Sequence, residues 1–346
     1  MRILTAIYGP GRGGSERAVL RLMRKICHAG HEVRILGENA DGKARPVALA
    51  LQIARAARIW KPDILFAPGQ TYALPFAIAK ALKGTEAPLV SKISNMPGSN
   101  RQARLWLSLQ GFWTARFVAP DAASAEELTR TTDLSDEQIT AIDNPCADRD
   151  HLISLHQAGH SKHAGLHILA AGRIVPQKNF GSLIAAFANI SGEQDRLTII
   201  GDGPDLEREK RILHDKRTRY GTACNIDMPG HVTDPAPYFA KASAFASSSM
   251  FEGLPAVLIE ALATGLPIAA TDSSPAIRAL LEGEGHGIVV PLNDDEALAS
   301  ALEKLRTFQP NRTAMFTAAL RFTAEAAAPV YLDLFQTLAH GAKNNE

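Results

Sequence analysis

Short, wholly apolar runs alternate along the chain with longer stretches in which apolar residues recur every three or four positions. The runs read as buried strands and the stretches as helices. Strands are predicted at Arg2–Tyr8, Glu32–Leu36, Asp63–Ala67, Leu89–Ile93 and Phe117–Ala119. Between them come helices over Ser15–Ala29 (stopped by Gly30), Ala48–Trp60 and Leu74–Lys83, a long one from Gln102, and one over Ala123–Thr131. The rhythm breaks at Asp143-Asn144-Pro145 and through the polar, histidine-rich stretch His151–His163. It restarts with strands at Leu166–Ala171, Arg196–Gly201, Asn225–Met228, Ala244–Ala246, Ile268–Thr271 and Gly287–Val290. Helices are expected over Asn179–Ile190, Asp205–Arg217, Pro235–Ala242, from Pro255 to Gly265, and over Pro275–Leu281 and Asp294–Leu305. An amphipathic helix over Ala324–Leu338 closes the chain. Such βαβ alternation implies an α/β class with parallel, doubly wound sheets.

A chain of 346 residues exceeds what one core usually serves, so the break near residue 150 divides two domains. An apolar share of 46% and a charged share of 21% describe an ordinary globular protein. The overall charge of +1 argues against a nucleic-acid binder. Residues 1–147 nevertheless hold 19 Lys+Arg against 13 Asp+Glu, net +6, and residues 148–346 hold 18 against 23, net −5. The basic half suits an anionic partner such as a lipid phosphate or membrane surface; a chance excess of solvated cations is the alternative. Cys27, Cys146 and Cys224 are scattered, which suits a reducing compartment and no structural zinc. Met1–Tyr8 reads as a strand rather than a leader, and no apolar run reaches the ~20 residues of a membrane span, so a cytoplasmic protein is expected.

The chemistry-bearing segment runs from Ser247 to Gly265. Glu252 lies in a loop, Pro255 suits the first turn of the next helix, and Gly265 suits the residue that ends it. Glu260 then falls on the helix, roughly 7 Å further along its axis at ~1.5 Å per residue. Between the two carboxylates lie free backbone N–H groups at the positive end of a helix, an anion seat. Upstream, Arg173 and Lys178 share the loop after the first strand of the second half, where two cations can clamp a diphosphate. Gly9-Pro10-Gly11-Arg12-Gly13-Gly14-Ser15 joins the first strand to the first helix, and Gly201-Asp202-Gly203-Pro204 ends a later strand. The first of these loops is not a dinucleotide fingerprint, because the second strand ends in Leu36-Gly37-Glu38 with the wrong spacing, and it has no Walker lysine.

Together the Glu252–Glu260 segment, Gly13-Gly14-Ser15, Gly172-Arg173 with Lys178, Gly201-Asp202-Gly203, Gly230-His231-Val232 and Gly265-Leu266-Pro267 resemble the retaining glycosyltransferases of family 4, with their E-x7-E motif. The resemblance spans nearly the whole chain. It implies the GT-B fold: two Rossmann-like domains facing across a cleft, 1–147 plus 325–346 binding the acceptor and 148–324 binding the nucleotide-sugar donor, with the C-terminal helix crossing back. It further implies catalytic roles for Glu252, Arg173 and Lys178. Substrate contacts would come from Gly13, Gly14, Asn95, Gly201, Gly203, His231, Val232, Phe251, Gly253, Leu254 and, on the ribose, Glu260. The co-substrate would be a UDP-sugar, with no resident cofactor or metal. The acceptor would be a glycan or lipid-linked glycan in surface-polysaccharide or lipopolysaccharide assembly, with peripheral contact at the inner membrane face.

Relatives often carry a histidine after the fourth strand; here the stretch is Ser91-Lys92-Ile93-Ser94-Asn95, leaving Lys92 and Asn95 as its polar residues. His231 reads equally as a plain loop histidine. Asp148-Arg149-Asp150 spells the metal motif of the other main glycosyltransferase fold, but its place at the junction reads as a solvated linker. Arg101–Phe117, with two tryptophans among arginines, reads as either an interfacial or a core helix. A sugar-nucleotide epimerase of the same fold and a non-catalytic nucleotide-sugar-binding partner are the competing functions. The glutamate pair with its Arg and Lys speaks against both.

Overall fold

The computed structural model describes residues 1–7, 14–37, 45–82, 84–94, 96–97, 100–159, 164–211 and 225–343. Two compact units emerge, Met1–Asp148 with Arg321–Glu346, and Arg149–Leu320.

The first unit holds a parallel six-stranded sheet in the order β2-β1-β3-β4-β5-β6. Its strands are β1 (Arg2–Ile7), β2 (Glu32–Gly37), β3 (Ile64–Ala67), β4 (Leu89–Lys92), β5 (Arg116–Ala119) and β6 (Ile139–Ala141). Its helices are α1 (Gly14–His28), α2 (Pro46–Trp60), α3 (Gln70–Ala81), α4 (Arg101–Gln110) and α5 (Ala122–Thr131). Successive strand residues point to opposite faces, so both faces are apolar. Ile3, Phe66, Val90 and Val118 meet Leu22 and Ile26 of α1 on one side. Leu4, Leu65 and Ala67 meet Ile53 of α2 and Phe76 of α3 on the other.

The second unit has the sheet order β12-β11-β10-β7-β8-β9, all parallel. Its strands are β7 (His167–Ala171), β8 (Arg196–Ile200), β9 (Ile226–Gly230), β10 (Ala244–Ser247), β11 (Ile268–Thr271) and β12 (Gly287–Val290). The helices are α6 (Arg149–Ala158), α7 (Phe180–Ile190), α8 (Ala236–Lys241), α9 (Ala256–Thr264), α10 (Pro275–Arg278), α11 (Asp295–Lys304) and α12 (Arg312–Leu320). Phe180, Leu183 and Phe187 of α7 and Leu298 and Leu302 of α11 cover one face. On the other, α9 packs against α6, α8 and α12.

The chain returns to the first unit through Arg321–Thr323. Ala147 N–H donates to Phe322 O at 3.2 Å and Ala324 N–H to Ala147 O at 3.0 Å. The last helix, α13 (Ala324–Lys343), then lays Tyr331 and Phe335 edge-on against Phe66, with ring centroids 5.8 and 5.7 Å away. Lys25 of α1 reaches Glu325 at 2.8 Å.

Several sequence expectations are corrected. The polar stretch after residue 150 is not a break: α6 fills most of it, burying Leu152 and Leu155 one turn apart. Within Asp148-Arg149-Asp150, Arg149 and Asp150 are exposed, as a solvated linker would be, whereas Asp148 is half-buried and tied down. Arg21 donates to Asp148 at 3.0 Å and to Cys146 O at 2.5 Å, and Asp150 sits in the first turn of α6. Helix α3 begins at Gln70, four residues before the predicted Leu74, and carries Pro75 inside it. The predicted helix over Pro275–Leu281 is α-helical only to Arg278, and a wider π turn spans Ala279–Gly283. The helix predicted over Asp205–Arg217 is helical from 206 to 211, and its remainder lies outside the described residues. The three-residue edge strand β6 and helix α12 were not anticipated. Helix α4 is not a core helix: it buries Leu107 and Gln110, whereas Leu105, Trp106 and Leu109 are exposed.

Candidate functional site

In the second unit β7 and β10 are neighbours, yet the chain winds away from them in opposite directions. From β7 it runs to β8 and β9, then returns to β10 on β7's other side and continues to β11 and β12. Loops leaving the carboxyl ends of two such strands diverge and open a crevice at this switch point. Arg173 and Lys178 stand in the loop after β7, and Glu252 in the loop after β10.

The two loops meet at a charged pair. Lys178 Nζ donates to Glu252 Oε1 at 2.5 Å, and Ser249 Oγ donates to the same oxygen at 2.8 Å. The Lys178 side chain is 15% exposed and that of Glu252 9%. Main-chain contacts fix both ends. Met250 N–H donates to Gln177 O at 2.8 Å, Gln177 Nε2 to Phe251 O at 2.7 Å, and Ser248 Oγ to Lys178 O at 2.8 Å. The loop after β11 supports the same wall: Glu252 N–H donates to Ser273 O at 3.0 Å and Ser274 Oγ to Gly253 O at 2.7 Å. Gly253 and Leu254 are thereby buried, while Phe251 is exposed. The hydroxyls that close β10 thus pin loops, the role their position in the sequence did not reveal.

Glycine is required where these loops press together. Gly172 has φ +153°, and a Cβ there would lie 2.9 Å from Lys178 Cε. A Cβ on Gly201 would stand 1.9 Å from Gly172 O, and one on Gly203 2.1 Å from Ile174 O. The closeness is held by Gly172 N–H donating to Ile200 O at 3.0 Å and Ile174 N–H to Asp202 O at 2.9 Å. Beyond β9, Gly201 N–H donates to Gly230 O at 2.9 Å, and His231 is exposed with Val232 half-buried. The strand-end loops of β9, β8, β7, β10 and β11 therefore form one continuous rim, and Arg173 stands exposed upon it.

Helix α9 begins after Pro255, whose ψ of 134° is extended, and ends at Gly265 in the left-handed region, φ 74°. It buries Leu258, Ile259, Ala261, Leu262, Ala263 and Thr264. Glu260 is its one charged residue, and His151 Nε2 of α6 lies 3.2 Å from Glu260 Oε1. Sequence reasoning missed His151; its signal was the histidine-rich stretch read as a break between domains.

In the first unit Gly14 opens α1 directly beyond β1, at that sheet's own reversal between β1 and β3. Gly13 and Asn95 lie outside the described residues. Lys92, at the end of β4, is 2% exposed, and burial pushes its ammonium down to about 8.

Residues 165–307 match the family described as Glycosyl transferases group 1. A lipopolysaccharide core biosynthesis glycosyltransferase, LpsE of Rhizobium meliloti, is 31% identical over 172 residues, 48% of this chain and 48% of that protein. An amylovoran biosynthesis glycosyltransferase, AmsD of Erwinia amylovora, is 31% identical over 138 residues, 40% of this chain and 38% of that protein. The matched stretch spans about half or less of the length of these relatives. Among solved structures, HepE of Anabaena in complex with UDP and glucose is similar with a TM-score of 0.73, covering 97% of this chain and 99% of that one at 19% identity. That likeness gives the fold, which is GT-B.

Proposed function

We propose that the protein is a retaining glycosyltransferase that moves a sugar from a nucleoside diphosphate donor, UDP-linked, to a glycan or lipid-linked glycan in surface-polysaccharide or lipopolysaccharide synthesis. The observation that carries this reading is the Lys178–Glu252 pair, braced by Ser249, at the switch point of the second sheet. It lies inside the segment that matches the glycosyl transferases group 1 family. The names of LpsE and AmsD, and the UDP and glucose bound by HepE, support the substrate class.

In this reading Arg173 and Lys178 take the charge that grows on the diphosphate as the glycosidic C1–O bond breaks. Glu252 stands by the donor sugar as it passes through an oxocarbenium-like state. The acceptor oxygen bonds to C1 from the face that the diphosphate leaves, and its proton goes to the departing phosphate oxygen. No metal is needed, because two cations and the N-terminus of α9 serve the diphosphate. Main chain at Gly201, Gly203 and from Gly230 to Val232 holds the nucleotide, Glu260 the ribose, and the first unit, with Gly13, Gly14 and Asn95, the acceptor.

Cytoplasmic work at the inner membrane face follows from a lipid-linked acceptor. Among the described residues no helix is long and apolar enough to cross a membrane. Support for surface contact comes from α4, where Arg101 accompanies the exposed Leu105, Trp106 and Leu109, and from Phe112, 84% exposed, just beyond. The deciding experiment offers a panel of nucleotide sugars with lipid-linked acceptors, reads products by mass spectrometry and reads their anomeric configuration from NMR coupling constants. A product heavier by one sugar residue, with its anomeric configuration kept, supports the reading. Donor turnover to an epimer, or binding with no turnover of any pair, would overturn it in favour of an epimerase or a binding partner.

A further inference from the structure

Glu260 is the sole charge on a helix that is otherwise almost wholly buried, so its carboxylate needs a defined partner. That partner comes from another element. His151, in the first turn of α6, places Nε2 3.2 Å from Glu260 Oε1. A carboxylate only accepts, so Nε2 carries the proton and donates. Farther along α6, His156 Nδ1 approaches Ala263 O at 3.0 Å, and its ring stacks on Phe316 of α12 with centroids 4.1 Å apart. The two histidines hold the same pair of helices but differ in what they hold. His156 grips main chain, whereas His151 grips the carboxylate itself.

We infer that His151 is a positioning residue for the ribose of the donor: by occupying Glu260 Oε1 it fixes the carboxylate's rotamer and presents Oε2 to the ribose hydroxyls. This rests on the proposed role of Glu260 at the ribose. A carboxylate with one oxygen held loses less freedom when it captures a diol, and preorganisation of this kind appears as affinity. A merely structural histidine would stabilise the α6–α9 packing without altering how the protein tells a ribose from its deoxy analogue.

The test is the ratio of dissociation constants for 2′,3′-dideoxy-UDP and UDP, measured by calorimetry on the full chain, with ADP and GDP pairs run in parallel. Wild type is expected to prefer the ribonucleotide, and Glu260→Ala to bring the ratio to about one. His151→Ala should reduce the ratio by roughly 3- to 10-fold, the factor of one hydrogen bond of ordinary net strength. His151→Gln, which keeps a donor, should restore most of it. His156→Ala should lower the melting temperature and leave the ratio unchanged. If His151→Ala unfolds early, His151→Leu keeps the volume without the donor and decides the comparison. A ratio that collapses in Glu260→Ala but stays intact in His151→Ala and His151→Leu overturns the role of His151 alone. A ratio unchanged in Glu260→Ala overturns the ribose assignment beneath it. Failure of wild type to bind any of the nucleoside diphosphates overturns the donor reading as a whole.

Discussion

Lys178 has three N–H donors, and the pair with Glu252 uses one of them. Two remain for phosphate oxygens, so the same ammonium can hold a diphosphate and still orient the carboxylate beside the sugar. Removing it strips the reaction of a preorganised charge and leaves Glu252 buried without its cation. Lys178→Ala and Arg173→Ala should each lower turnover by roughly 10²-fold or more. Arg173→Ala should melt close to wild type because Arg173 is exposed, whereas Lys178→Ala should melt lower because it leaves the buried Glu252 unpaired. Turnover near wild type in either variant would sink the clamp. The two glutamates should separate in steady-state kinetics. Glu252→Ala should chiefly lower kcat, because its contacts matter as charge develops, and Glu260→Ala should chiefly raise the donor KM. The reverse pattern would exchange their roles. If fixed cations and a helix N-terminus serve the leaving group, as proposed, activity should persist after exhaustive EDTA treatment. Activity lost to EDTA and restored only by Mn²⁺ or Mg²⁺ would return attention to Asp148 and Asp150.

At the scale of elements, the loop between α7 and β8 is tied to the end of α11 by one residue. Asp195 accepts from Gly192 N–H at 2.8 Å, Leu166 N–H at 2.7 Å, and Arg306 through Nη1 at 2.9 Å and Nη2 at 2.6 Å. The Arg306 guanidinium, helped by the two main-chain donors, holds its carboxyl down to about 2 from the usual 3.8. A depressed carboxylate contributes stability that is fully present above its unfolded value and is lost as pH falls through the folded one. Asp195→Asn should therefore destabilise the second unit by about 1–3 kcal/mol at neutral pH. The gap from wild type in thermal melts should close as pH drops from 3.8 toward about 2. A gap independent of pH over that window would refute the linkage. This clasp was invisible in the sequence because its partners lie 111 positions apart. What was legible was local. Pro255 and Gly265 bounded α9 as their backbone preferences require, and Glu252 and Glu260 fell in loop and helix as expected. The strands of both sheets were legible wherever they were apolar throughout. Helix α6 was not, because only Leu152 and Leu155 are fully buried on it and two histidines make side-chain contacts to α9. Gly201 and Gly203 were legible as special, but as ligand contacts rather than as points where one loop must cross another without a Cβ.

At the scale of the molecule, charge and exposed apolar surface coincide. Residues 1–147 carry the net +6, and within that stretch α2 and α4 contain no acidic residue. Arg55 and Arg58 of α2 line a groove with Leu51, Ile59 and Leu82. On α4 and just beyond it, Leu105, Trp106, Leu109 and Phe112 stand in solvent. Aromatic and aliphatic side chains among arginines, on two helices that carry no acid of their own, suit the proposed contact with an anionic bilayer surface. Burying the side chains of Leu105 and Phe112 in the interface would supply roughly 1.5–3 kcal/mol each at full burial, and each arginine near the surface about 1 kcal/mol more. The wild-type chain should therefore sediment with vesicles containing phosphatidylglycerol, less so as salt rises, and weakly with purely zwitterionic ones. A Leu105→Ser/Phe112→Ser double variant should lose at least about 10-fold in vesicle affinity. Its melting temperature should hold, since both side chains are already exposed, and so should its turnover of a water-soluble acceptor analogue. Equal sedimentation of the variant and wild type would overturn the proposed contact through Leu105 and Phe112. Equal binding to charged and zwitterionic vesicles would remove the arginines from the account.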